Sequence, residues 1–206
     1  MERSELINKV KTRIDEVSAS GDAIVDVGVE NTKPYDSIIA ELLDESAMEV
    51  LLKAPFYRLD ITTGFVDAEM DANDEKIGMI YLPDDFIRLV SFKMASWLQP
   101  VTSFALPGDP VAIKQSNKYI RGGVAKPVAV LYKSEVGGMV HYYSVPSKDD
   151  HIVDSFLYIR RQDATEITDP LIVDAMCWIC AGKTLGVVGE KQLADICYEN
   201  AKGLMV

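Results

Sequence analysis

Cys177-Trp178-Ile179-Cys180 is the feature of this 206-residue sequence whose spacing most resembles chemistry. Redox catalysis and zinc binding both use paired cysteines, and both need more than the pair. Zinc takes four ligands, and the remaining candidates, Cys197, His141 and His151, form no second pair. A redox pair sits at a helix N-terminus after a strand, where the dipole lowers the thiol pKa. These two cysteines fall two turns inside an apolar helical stretch, so the expectation is a pair of small buried hydrophobes.

Other fragments imitate sites. Ala181-Gly182-Lys183-Thr184 has the letters that end a phosphate-binding loop, but that loop needs glycine five residues before Gly182, and position 177 is Cys. Asp67, Glu69, Asp71, Asn73 and Glu75 offer oxygens at alternate positions, as a calcium loop does. No frame through them puts glycine sixth and glutamate twelfth, so only weak, adventitious cation binding is expected. Asp84-Asp85 and Asp149-Asp150 sit in turn-like stretches, where carboxylates bond their own backbone. His141 alternates with Met139 and Tyr143 and reads as a sheet residue. No serine or cysteine is visibly paired with a base. The residues therefore predict no catalytic, cofactor-binding or metal-binding site, and no enzyme.

The elements that would position any site follow from periodicity. Leu6, Ile7, Val10, Ile14 and Val17 form a helical stripe over 4–19, with Ser4 as N-cap and Ser20-Gly21 as stop. A loop is expected over 21–35, with 23–29 as a candidate short strand. Asp36 or Ser37 then caps a second helix carrying Ile38, Ile39, Leu42, Leu43, Val50 and Leu51, stopped by Pro55. Two such helices pack as a hairpin or present their stripes to a partner.

Residues 56–66 read as a strand, and DAEMDANDE as an exposed loop. A short helix is expected over 111–117, between the breakers Pro107-Gly108, Pro110 and Gly122-Gly123. Strands over 127–133 and 139–144 flank SEVGG, a connection of hairpin length, and a further strand covers 152–160. Thr168-Asp169-Pro170 is a cap followed by proline at the first helical position. It opens a helix to about Leu185, and a last helix covers 190–202 with Leu193, Ile196 and Cys197 on one face.

Together these predict an α+β fold: an antiparallel β region flanked by N-terminal amphipathic helices and a C-terminal helical pair. The expected division is an N-terminal helical segment, 1–55, a β-rich domain, 56–162, and C-terminal helices, 163–206, packing back on the rest, or one domain overall.

The apolar content of 48% and charged content of 26% are those of a globular chain. No apolar run is long enough to suggest a membrane span, and MERSELINKVK lacks the apolar region of a signal peptide. The expected compartment is a cytoplasm, and three cysteines do not suggest a disulfide framework. The net charge of −11 is uneven: residues 1–75 hold 18 Asp/Glu against 7 Lys/Arg, and the remainder 14 against 14. An acidic chain is a poor sequence-independent binder of nucleic acid, which requires neutralised phosphates.

The centre of the chain is KIGMIYLPDDFIRLVSFKMASWLQPV, over 76–101. It reads as a strand carrying Ile77, Met79 and Tyr81 on one face, then a turn at Leu82-Pro83-Asp84-Asp85 with Pro83 at its first central position. The second strand carries Val90, Phe92 and Met94 on one face and Ile87 and Leu89 on the other. Apolar residues on both faces here, and again in 152–160, predict cover on both sides.

The LPDDFIRLVSFK run, the tryptophan and proline after it, and then NKYIRGG and KPVAVLY resemble the small head-to-tail adaptor proteins of short-tailed bacteriophages. These are the ring-forming connector, or tail tubular, proteins beneath the portal. The resemblance spans the chain in element order and carries no catalytic signature. It implies a structural virion protein, assembled in the bacterial host's cytoplasm as a ring of twelve copies. The implied partners are the portal protein and tail or further ring proteins, with duplex DNA passing through unbound and no membrane. Two other readings are a small cytoplasmic enzyme built around Arg121, Arg160 and Arg161, and a host-encoded interaction domain.

Overall fold

The computed structural model describes residues 1–20, 33–135 and 137–205. The fold is α+β, with helices at both ends of the chain and antiparallel sheets between them. It divides into two units: Met1–Leu59 with Arg161–Val206, and Asp60–Arg160. The N-terminal segment and the C-terminal helices thus form one helical unit, and the middle of the chain is a sheet unit with boundaries a few residues inside 56–162.

The helical unit is built from α1 (Arg3–Ser20), α2 (Lys33–Lys53), α4 (Pro170–Val188) and α5 (Lys191–Leu204). The stripes of α1 and α2 are buried through Leu6, Val10, Ile14 and Val17, and through Ile39, Leu43, Val50 and Leu51. They meet α4, which every other helix of the unit touches. This central position explains why α4 is apolar nearly all round. It is long and apolar enough to cross a membrane by composition, correcting the expectation from apolar runs, yet 67% of that stretch is buried inside the protein.

Asp169 caps α4 by accepting from the N–H groups of Leu171 and Ile172 at 2.9 and 3.0 Å, with Pro170 following it. The helix passes through Gly186 and ends at Gly189, whose φ of +94° closes it in the left-handed conformation. On α5, Leu193 and Cys197 are buried, but Ile196 is exposed. Two caps differ from expectation. Ser4 lies inside α1, where the Glu5 carboxylate accepts from the Glu2 N–H at 3.2 Å. The second helix begins at Lys33, before Asp36 and Ser37. The candidate strand over 23–29 lies outside the described residues.

In the sheet unit, β1 (Ile61–Thr63), β7 (Val153–Arg160) and β4 (Phe86–Met94) form one antiparallel sheet in the order β1-β7-β4. The second sheet, β2-β3-β6-β5, comprises β2 (Ala68–Met70), β3 (Ile77–Tyr81), β6 (Gly137–Tyr143) and β5 (Ala129–Ser134). The two share one core, in which Phe92 is packed by Trp97, Phe156 and Tyr142 with ring centroids 5.2, 5.9 and 6.1 Å away. The short helix α3 (Pro110–Gln115) buries Ala112 in a smaller cluster with Val130 and Tyr143.

Four expectations for this region change. The predicted strand 56–66 is a 3-10 turn at Phe56–Arg58 followed by only three strand residues. The stretch taken for a loop contains the edge strand β2, polar because only one side of it pairs. The central turn is shifted by one residue: the Phe86 N–H bonds the Pro83 carbonyl at 3.0 Å, placing Asp84 and Asp85 at its centre. This turn also joins two different sheets.

The last change concerns faces. Register shifts in β4 fall between Leu89 and Ser91, among other places. A bulge changes the parity of the pleat, so Leu89 joins Phe92 and Met94 in the core while Val90 stays half-buried. In β3, Ile77, Met79 and Tyr81 share one face as expected, and the buried residues Gly78 and Ile80 lie on the other. On β7, Phe156 and Tyr158 enter the aromatic core, and Ile159, of opposite parity, is only 1% exposed.

Candidate interaction surface

The residues that suggested chemistry are structural where they lie. Cys177 and Cys180 are buried within α4, and burial pushes their thiols up to about 12 and about 11. Cys197 is buried too, its thiol raised to about 11. Such thiols carry almost no thiolate near neutral pH. Gly182 gives room to Tyr198, whose ring a Cβ would meet at 3.1 Å. Lys183 bonds Glu45 at 2.8 Å and Glu49 at 3.0 Å, and the Thr184 hydroxyl donates to the Cys180 carbonyl at 2.8 Å. The imitation phosphate loop is therefore a packed and ion-paired stretch of helix.

In the sheet unit, Arg121 donates to the Asp74 carboxylate at 2.7 Å and to the Gln115 carbonyl at 3.2 Å. That bond holds Asp74 below its ordinary carboxylate range, against burial. Arg160 ends β7 opposite Phe86, while Arg161 belongs to the helical unit. Arg121 and Arg160 thus have separate surroundings. His151 accepts or donates at Nδ1 with the Tyr142 hydroxyl, 2.6 Å away, and its Nε2 lies 2.8 Å from the Glu75 carbonyl. Neutral histidine protonated at Nε2 satisfies both bonds. His141 packs beside Tyr132 with ring centroids 4.7 Å apart and the planes tilted by 52°, and burial lowers its pKa. Among the described residues, no three His, Cys, Asp or Glu side chains gather to hold a metal ion.

What the sheet unit does present is apolar surface. A groove of about 580 Å³ opens between the central turn and the β5-β6 hairpin. Leu82, Pro83, Phe86, Ile87, Leu131 and Tyr132 line it, with Asp84 and Lys133 supplying its charge. The hairpin is tight: Ser134 pairs with Gly137, whose φ of +132° suits glycine, and Gly138 lets Leu82 approach where a Cβ would lie 2.9 Å from its Cδ1. Beyond the groove, Phe65 is 99% exposed, Tyr119 84% and Leu98 76%. Apolar residues exposed singly are common on any protein, so the groove, where apolar side chains are contiguous, is the stronger mark of a contact surface.

Sequence reading missed the groove and Phe65. The groove depends on which sheets flank the turn, and no local pattern reports that. Phe65 had a signal, the alternation Gly64-Phe65-Val66 beside the core, but it was hidden inside a strand predicted too long. No family model matches the chain, and no curated protein matches it.

Proposed function

We propose that the chain is a structural virion protein: a subunit of a ring beneath the portal of a short-tailed phage, joining capsid to tail and helping to form the DNA channel. The observation that carries this reading is the apolar surface of the sheet unit, a groove on one side and freely exposed Phe65, Tyr119 and Leu98 elsewhere. The likeness of the LPDDFIRLVSFK, NKYIRGG and KPVAVLY runs to the adaptor family supports it, as does the order of helices, sheets and helices. The family likeness sets the copy number at twelve, with portal and tail or further ring proteins as partners. The net charge of −11 suits a conduit wall, which must let DNA pass without retaining it.

Electron-microscopic imaging of the native assembly tests the reading. A closed cyclic ring of this chain next to the portal is the expected result. A single copy, an isologous dimer, or tight salt-sensitive binding of duplex DNA would overturn it.

A further inference from the structure

The space between the two sheets is partly filled by the chain itself. β4 is the edge of the first sheet and β5 the edge of the second. Val101 pairs with Phe92 of β4 through two backbone hydrogen bonds of 2.8 Å, and Ala105 then pairs with β5. The Ala105 N–H donates to the Ala129 carbonyl, and the Ala105 carbonyl accepts from the Leu131 N–H, both at 2.9 Å. This is the first rung of a parallel ladder.

The ladder stops for a local reason. Its next rung needs an N–H aimed at the Leu131 carbonyl, and that place falls to Pro107, which has none. The chain turns away instead: the Asp109 N–H bonds the Leu106 carbonyl at 2.9 Å, and the Asp109 carboxylate accepts from the Leu106 N–H at 2.7 Å. Alternation fixes which groups of β5 then lie open. Ala129 and Leu131 bond Ala105 rather than β6, so Lys133, of the same parity, also directs its N–H and carbonyl away from β6. The Leu131 carbonyl and the Lys133 N–H are the unused part of this edge. They border the apolar groove, whose opposite wall is Phe86 and Ile87 at the start of β4.

We propose that this groove accepts an extended segment of a neighbouring polypeptide, added as a strand parallel to β5 where Ala105 leaves off. Its backbone meets the Leu131 carbonyl and the Lys133 N–H. Every second side chain is apolar and enters the groove against Leu82, Phe86 and Leu131. The open backbone groups identify the occupant, because a compact apolar ligand would fill the volume of about 580 Å³ and leave them unmet. Lysine on an edge discourages the pairing of bare edges, so Lys133 favours a strand that also brings side chains for the groove. The inference deepens the ring reading, whose neighbours supply the strand, and rests on it.

Residue-resolved hydrogen exchange tests it, with the isolated full chain compared against the native assembly. The Lys133 amide should exchange freely in the isolated chain and about a hundredfold more slowly in the assembly. The Tyr132 amide, which faces β6, should be slow in both and serves as the reference. Lys133→Pro removes the N–H on the edge side, where proline is tolerated, and should cut incorporation into the assembly about tenfold. Lys133→Ala keeps the N–H and should cut it about twofold at most. Both variants should keep the denaturation midpoint; if the proline variant does not, exchange at Lys133 decides alone. A Lys133 amide as fast in a closed ring as in the isolated chain would overturn the strand site and leave the ring reading standing. Equal losses in two stably folded variants would do the same. A native assembly with a single copy and a fast Lys133 amide would remove both.

Discussion

The two units of this chain treat charge and apolar surface in opposite ways. The helical unit ties its helices together with ion pairs, Arg3 with Asp44, Arg13 with Asp174 and Glu16, Lys11 with Asp36, and Lys183 with Glu45 and Glu49, and keeps an acidic surplus of 19 Asp/Glu against 11 Lys/Arg. The sheet unit pairs Lys93 with Asp154 and Arg121 with Asp74, and leaves a run of lysines and a run of acids exposed. The helical unit wraps its most apolar helix, whereas the sheet unit builds an aromatic core and still presents a groove and a free phenyl ring.

The acidic N-terminal third looks different in this light. Asp44, Glu45 and Glu49 on α2 are held by Arg3 and Lys183, so they belong to the packing of the helical unit more than to an outward acidic wall. Burial opposes ionisation of Glu49, but hydrogen bonds from Lys53 and Lys183 outweigh it and hold the carboxyl below its ordinary range. Burial likewise opposes ionisation of Asp44, and the bonds from Arg3 and the Ala164 N–H outweigh it. Changing these residues to lysine would unsettle the helices as well as alter any channel.

The contrast can be broken most severely at the centre of the aromatic core. Phe92→Ala should destabilise the sheet unit by about 3–5 kcal/mol, the usual cost of truncating a buried aromatic ring. Near-ultraviolet circular dichroism during urea denaturation would report it, and a cost near zero would mean that the core is not packed as described.

Gly78→Ala should come next. A Cβ there would lie 2.1 Å from the Tyr142 hydroxyl and 2.6 Å from the Glu69 carbonyl, and backbone cannot give way as a flexible side chain does. The expected loss is about 2–3 kcal/mol or more, typical of forced overpacking. Gly78→Ala combined with Tyr142→Phe should recover part of it, because the phenolic oxygen is the nearest obstacle.

A smaller change separates the helical unit. Asp169→Ala removes the cap of α4 and should cost about 1 kcal/mol, while Asp169→Asn should keep most of the stability. Equal losses in the two variants would point to the ion pair with Arg58, at 3.6 Å, rather than the cap.

The mildest test is acid. Asp44 and Glu49 have folded pKa values below their ordinary 3.8 and 4.5, so ionisation favours the folded state. That contribution is complete above the ordinary values and is lost as pH falls through the lowered ones. The urea midpoint of the helical unit should therefore be flat down to about pH 5 and fall below it. Glu49→Gln should flatten the decline, and an unchanged slope would show that this carboxylate contributes nothing.

Local sequence by itself determined the cap of α4, the stripes of α1 and α2, and the β5-β6 hairpin, but not the starts of α1 and α2. Asp169-Pro170 opens α4 because the carboxylate and the proline ring act within a single turn of chain. The buried positions of α1 and α2 follow from a 3.6-residue repeat, and the β5-β6 hairpin from short strands around glycines. The burial of Cys177 and Cys180 was legible from their apolar helical neighbours. Only the tertiary structure decided the rest, because each remaining feature depends on residues far apart in sequence. The bulge in β4 moved Leu89 into the core by changing parity against β7, and the turn at Asp84-Asp85 proved to join two sheets instead of closing a hairpin. The groove exists because residues 82–87 and 131–138 lie side by side, and Phe65 stands free because Phe156 holds Gly64. Periodicity reports which way a side chain points along one strand; which strand lies next to it is set by packing energy summed over the whole unit.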